Sequence, residues 1–178
     1  MVISAGITLT DFRGRFTTRG GMSGSFTAGV NGQGDVQGEV IPADRGSAFR
    51  ITSGNAGTVM AAAGIFENGR GGSLDMTLTP RGPEGHYDGL ATFSRLRVQG
   101  APALAELLSA VSVVGLLEQM SGEGLAFSNG EVRFILTPDA VEISQGSAVG
   151  ASLGISFAGL YLTASGQLDL QGVISPIY

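Results

Sequence analysis

The 178-residue chain has no cysteine, no lysine and a single histidine. Without cysteine there is no disulfide and no thiolate metal ligand, so the fold rests on packing, and one histidine leaves few ways to hold a transition metal. Cysteine's absence fits cytosol and periplasm equally. Charge is scarce as well: 14% of residues are charged and the net charge is −5. All ten basic residues are arginines, scattered singly apart from Arg13/Arg15 and Arg95/Arg97. Neither the electrostatic footprint of a nucleic-acid binder nor a polybasic patch for anionic lipid can be drawn from them, so no nucleic-acid partner is expected. The opening residues Met1 to Gly6 lack the charged and apolar regions of a signal peptide, and no run of ~18 apolar residues is available for a membrane span. An export signal, if the natural protein is exported, is expected outside this sequence.

What is present is apolar content of 43% and thirty glycines, more than twice the usual share of about 7%. The glycines fall between short alternating segments and read as turns and bulges. Asn31-Gly32, Asn68-Gly69 and Asn129-Gly130 suit tight hairpin turns, and Thr79-Pro80-Arg81-Gly82-Pro83 and Thr137-Pro138-Asp139 supply rigid turn starts. Between these marks the period is two. Ser73 to Thr79 alternates without error, and Glu131 to Leu136 sets Val132, Phe134 and Leu136 opposite Glu131 and Arg133. Val141/Ile143, Leu153/Ile155/Phe157 and Leu168/Leu170 continue the rule, and a phase slip to Leu160/Leu162 marks a bulge or strand bend. Further strands are expected near 2–9, 12–18, 22–29, 35–41, 47–53 and 86–98.

The fold class that follows is mainly β, a curved antiparallel meander in a single domain over residues 1–178. Two helices are expected to cap it. One is amphipathic, about 102–121, with Leu104, Leu107, Leu108, Val111, Val114 and Leu117 at helical spacing; the other is short, about 55–65, capped by Asn55.

The search for chemistry selects no site. His86 has Asp88 two residues on, but no Gly-x-Ser-x-Gly elbow supplies a nucleophile. Gly69-Arg70-Gly71-Gly72 lacks the lysine of a phosphate loop, and Asn31 to Asp35 lacks the acids of a calcium loop. Two carboxylates flanking a sugar are conceivable among fifteen acids, yet nothing singles out a pair. No catalytic residue, cofactor or metal is expected. The apolar stripes are either a closed core or a groove open to a lipid, and alternation alone does not decide between them.

The second half carries a longer pattern. Gly69-Arg70-Gly71-Gly72-Ser73-Leu74, Gly89-Leu90-Ala91-Thr92-Phe93 and Leu96 to Leu108 come first. Gly122 to Phe127, the segments 130–136 and 141–150, and Gly166 to Tyr178 then follow in order. In order and spacing, from about Gly46 onward, this resembles the C-terminal region of AsmA-like proteins of Gram-negative bacteria. The resemblance implies a periplasmic β-sheet groove, an inner-membrane anchor in the full-length protein, and a role in moving phospholipid toward the outer membrane or in outer-membrane biogenesis. It also implies that this chain is a fragment, touching membranes through parts of the full-length protein that it lacks.

On that reading the partner is phospholipid or another acyl lipid, carried without a chemical step. The expected lining is Leu74, Met76, Leu78, Val132, Phe134, Leu136, Val141, Ile143, Leu153, Ile155 and Phe157. Strands of about ten residues, at a rise of ~3.3 Å, give a wall of roughly 33 Å. The competing expectation is a cell-envelope scaffold that docks partners, or a second copy of itself, through sheet edges. An enzyme acting on envelope glycans is the third.

Overall fold

The computed structural model describes residues 2–4, 7–65, 68–99, 124–151 and 153–176. Alternating apolar and polar residues put one side of each segment in reach of a neighbour, and most of the connections are turns short enough for sequential pairing; longer segments join β5 (Gly46–Ser53) to β7 (Ser73–Pro80) and β8 (Tyr87–Gln99) to β9 (Leu125–Leu136). The result is a meander: β1 (Val2–Ser4), β2 (Ile7–Thr17), β3 (Ser23–Val30), β4 (Gly34–Ala43), β5 (Gly46–Ser53), β7 (Ser73–Pro80), β8 (Tyr87–Gln99), β9 (Leu125–Leu136), β10 (Ala140–Gly150), β11 (Leu153–Leu162) and β12 (Gln167–Pro176) lie side by side in chain order, all antiparallel. The short β6 (Asn68–Arg70) pairs with the far end of β8, beyond the part that β7 covers. The sheet is open and curved and does not close into a barrel.

One helix is described, α1 (Ala56–Ala62). It starts where expected: the Asn55 side chain accepts a hydrogen bond from the Thr58 amide at 3.1 Å, which satisfies one of the first turn's free donors. Asn31, in the β3–β4 turn, fastens its other end. The Asn31 side-chain Nδ2 donates to the Ala62 carbonyl at 2.6 Å, and its Oδ1 accepts from the Thr8 backbone amide at 2.8 Å. The expected helix at about 102–121 lies outside the described residues. Among the described residues, no helix is long and apolar enough to cross a membrane.

Four local expectations are corrected. Asn68-Gly69 is not a hairpin turn but part of β6, where Gly69 lets α1 approach: a Cβ there would fall 2.9 Å from the Gly57 Cα. Asn129-Gly130 is likewise inside β9, with Gly130 facing Phe93. The phase slip in β11 does fall at a bulge, but in the β10–β11 ladder: β11 itself pairs with β12 in unbroken register, and Leu160 and Leu162 point to the sheet's other side. The extra residue sits on the neighbouring strand, at Ser144 of β10, whose hydroxyl donates to the Arg133 carbonyl at 3.1 Å. Similarly, the expected break between strands 2–9 and 12–18 is a bulge within β2, with Asp11 at φ 49°.

Most of the core lies at one end of the strands, and on β3 and β4 it continues along them through Phe26 and Val40, 8% and 3% exposed. Leu9, Val30, Val36, Leu96, Val98, Leu125, Phe127, Ala148 and Leu153 are buried at that end in one cluster with Ala56 and Val59 of α1. Gly34 makes room for the helix, because a Cβ on it would lie 2.7 Å from the Val59 Cα. Burial of nonpolar surface is the main force closing this end, and each buried leucine or phenylalanine contributes about 1.5–3 kcal/mol relative to exposure.

Candidate functional site

Strand register sorts the residues into two faces, since cross-strand partners share a side and neighbours along a strand alternate. One row runs Phe49, Leu78, Gly89, Phe134, Ile143, Gly159, Leu170. A second runs Ile51, Met76, Ala91, Val132, Gly146, Phe157, Gly172. A third carries Leu74, Phe93, Gly130, Ala148, Ile155 and Ile174, and a fourth Tyr87, Leu136, Val141, Tyr161 and Leu168. Leu153 is two residues from Ile155 on a regular strand and shares its side. All eleven expected lining residues therefore stand on one face.

Their burial differs along the strands. Leu74 and Leu153, at the α1 end, are 8% and 2% exposed. Met76, Leu78, Val132, Phe134, Leu136, Val141, Ile143, Ile155 and Phe157 are half-buried. We call the α1 end closed and the opposite end, with the β7–β8, β9–β10 and β11–β12 turns, open.

The sequence reading missed aromatic members of the same face. Phe12, Phe16 and Phe26 stack at the β2–β3 side, with ring centroids 6.1 Å and 5.0 Å apart, and Phe49 meets Tyr87 edge-on at 5.8 Å. Phe12 and Phe16 remain 40% and 43% exposed. It also misread the glycines between these rings. Gly38, Gly89, Gly130 and Gly146 sit in strand interiors, each under the ring of a cross-strand phenylalanine: Phe26, Phe134, Phe93 and Phe157. A Cβ on any of the four would collide with that ring. The rings thus lie against the neighbouring backbone instead of standing off the sheet. A signal was present, because in Gly34-Asp35-Val36-Gln37-Gly38-Glu39-Val40 the glycines hold the apolar phase of the alternation.

The opposite face is mixed, with polar rows beside exposed aliphatic side chains that include Ile41, Val149, Leu160, Leu162 and Val173. Gln37, Thr52, Asp75, Thr92, Glu131 and Ser147 form one row across β4 to β10, and a trough of about 770 Å³ follows it. Of the eleven expected residues only Leu74 borders that trough. Its carboxylates are partly engaged: Arg50 grips Asp75 through two hydrogen bonds of 3.1 and 2.6 Å, and Arg133 holds Glu131 at 2.9 Å. The hydrogen bond from Arg50 holds the Asp75 carboxyl below its ordinary range, against a smaller opposing effect of desolvation.

At the open rim Arg81 binds Asp88 at 2.8 Å, and His86 places Nδ1 3.2 Å from the Glu84 carbonyl oxygen. The structure therefore pairs Asp88 with an arginine and not with the histidine. Among the described residues, no group of three or more histidine, aspartate or glutamate side chains is placed to hold a metal. Comparison with known proteins gives no match to a family model, a curated protein or a solved structure.

Proposed function

We propose that this chain is a non-enzymatic lipid-binding module of the cell envelope, whose apolar sheet face carries phospholipid between inner and outer membranes in the manner of the AsmA-like proteins it resembles. The observation behind the reading is the half-burial of nine of the eleven lining residues on one continuous face. A closed core would take such residues out of water; a face awaiting hydrocarbon keeps them partly in it. Covering that surface with acyl chains is favourable by about 25 cal/mol per Å² removed from water. The trough on the other side is lined by hydroxyls, amides and carboxylates together with apolar groups, and of the eleven lining residues only Leu74 borders it. The periplasm, with an anchor in the full-length protein, is the compartment this function requires.

Native mass spectrometry with lipid extraction, on protein purified gently from bacterial membranes, tests it. Bound phospholipid at defined stoichiometry, lost on Phe134→Ala in a protein that still folds, is the expected result. A lipid-free protein that ignores added lipid overturns it.

The scaffold reading has one observation in its favour. Among the described residues, β12 has no partner on its outer side and β1 covers only the first residues of β2. Unpaired strand edges are templates for another strand. Light scattering that finds a concentration-dependent dimer, combined with the absence of lipid, is the outcome that selects this alternative.

A further inference from the structure

The cross-strand row on the mixed face does not stop at Gln37. It continues through Thr27 of β3 to Arg13 of β2, so one line of side chains reaches from β2 to Ser147 of β10. That is seven ladder spacings, roughly 34 Å. A second trough, of about 670 Å³, lies over the β2 end and shares Gln37 and Thr52 with the first. The two recesses therefore adjoin along the row.

Charge changes along this path. At the β2 end Arg13 and Arg15, two residues apart on one side of the strand, stand across the ladder from Thr27 and Ser25. Among the described residues neither guanidinium has an ion-pair or hydrogen-bond partner. The third arginine of that trough, Arg50, is held by Asp75 and has Glu39 as its cross-strand neighbour. Toward β10 the charged lining is acidic: Asp35, Asp75 and Glu131. Between these acids Gln37, Thr52, Asn129 and Ser147 leave their side-chain donors and acceptors without a partner among the described residues, and the exposed Val149 adds an apolar surface.

An extended peptide would need an unpaired strand to lie against, and the floor here is fully paired sheet. A nucleic acid would set a phosphate on every unit against the carboxylates. A sugar chain carries hydroxyls, which both donate and accept, around its edges and C–H groups on its faces; that matches neutral amides and hydroxyls set beside methyl groups. We propose that the two joined troughs bind an extended oligosaccharide with one anionic group, carboxylate or phosphate, at its end. Charge-assisted hydrogen bonds from Arg13 and Arg15 hold that end, and the neutral sugars lie across the strands toward Ser147. The acids further along keep the anionic end from seating the other way round, so the ligand has one orientation. This site is on the opposite face from the proposed lipid surface and does not depend on it.

Isothermal titration calorimetry tests the assignment. The probes are cellohexaose, maltohexaose and chitohexaose, each as the neutral chain and with its reducing end oxidised to a carboxylate, beside gluconate and inorganic phosphate alone. At least one acid-ended hexasaccharide is expected to bind, about tenfold more tightly than its neutral parent, from the charged hydrogen bonds at one end. Arg13→Gln combined with Arg15→Gln is expected to erase that advantage, as is added salt. Gln37→Ala, at an unchanged melting temperature, is expected to weaken the neutral and acid-ended chains alike. Three results overturn the proposal: no hexasaccharide binds, gluconate or phosphate binds as tightly as the chain, or the acid-end advantage survives in a folded double variant. The second of these marks a bare anion site. None of the three bears on phospholipid uptake by the other face.

Discussion

The two ends of the same strands are made from the same kinds of residue and reach different environments. On β9, Leu125 and Phe127 are 2% and 4% exposed, whereas Phe134 and Leu136, nine residues further along, are half-buried. On β8 the contrast lies between Val98, 1% exposed, and Tyr87, half-buried. Composition does not separate these pairs; what covers them does. At the closed end α1 packs on β4, β6 and β8, held by Asn31 and admitted by Gly34, Gly57 and Gly69. Period-two alternation is enough to make a face, and whether the face becomes core or surface is decided by a second layer.

Side-chain truncation is the strongest way to break this comparison. Leu125→Ala leaves a cavity in the closed end and is expected to cost about 2–5 kcal/mol in urea denaturation. The same deletion in the open half, Leu136→Ala, is expected to cost about half as much, because part of the side chain is already in water. Equal losses would mean the two ends are packed alike. Gly89→Ala acts on the ring floor: its Cβ would fall 2.7 Å from the Phe134 Cδ2, and the displaced ring is expected to cost about 1–3 kcal/mol. If melting is unchanged, the ring does not rest on that glycine.

Smaller effects sharpen the boundary. Asn55→Ala removes the cap of α1 and should lower stability by about 1 kcal/mol, with faster amide exchange confined to α1 and the strands beneath it. Asp75→Asn, on the mixed face, gives the smallest change. The Asp75 pKa is lowered in the folded protein by Arg50, so its stabilisation is present above the ordinary carboxylate range and is lost as pH falls through the lowered value. The difference in melting temperature between Asp75→Asn and the parent should therefore be present at neutral pH, shrink on acidification, and shrink with added salt because both partners are exposed.

Much of the fold was legible because alternation is a direct imprint of the pleat. The segments 73–79 and 131–136 fall within β7 and β9, and the cap at Asn55 starts α1. The eleven apolar positions share a face because each was chosen on the correct phase of its own strand. What failed were the places where the phase changes. Asp11 and Arg95, at φ 49° and 51°, take left-handed conformations inside strands, and no β-branched or glycine marker announces them. The glycines failed for a related reason: glycine signals a turn or a close approach with the same letter, and only the cross-strand partner tells which. At Asn129-Gly130 that partner is Phe93, 37 residues earlier in the chain and brought there by neither turn nor motif but by the pairing of β8 with β9. Exposure of the open half was beyond sequence altogether, since it depends on which surfaces meet.

On the proposed function the open half of the apolar face is a site for hydrocarbon, while the closed half is core. Amide hydrogen exchange, with and without phospholipid vesicles, tests it most directly. Added lipid is expected to slow exchange in the open halves of β7 to β11, while the closed ends, already protected, stay unchanged. Protection that appears equally at both ends, or only on the polar rows, or not at all, would contradict it.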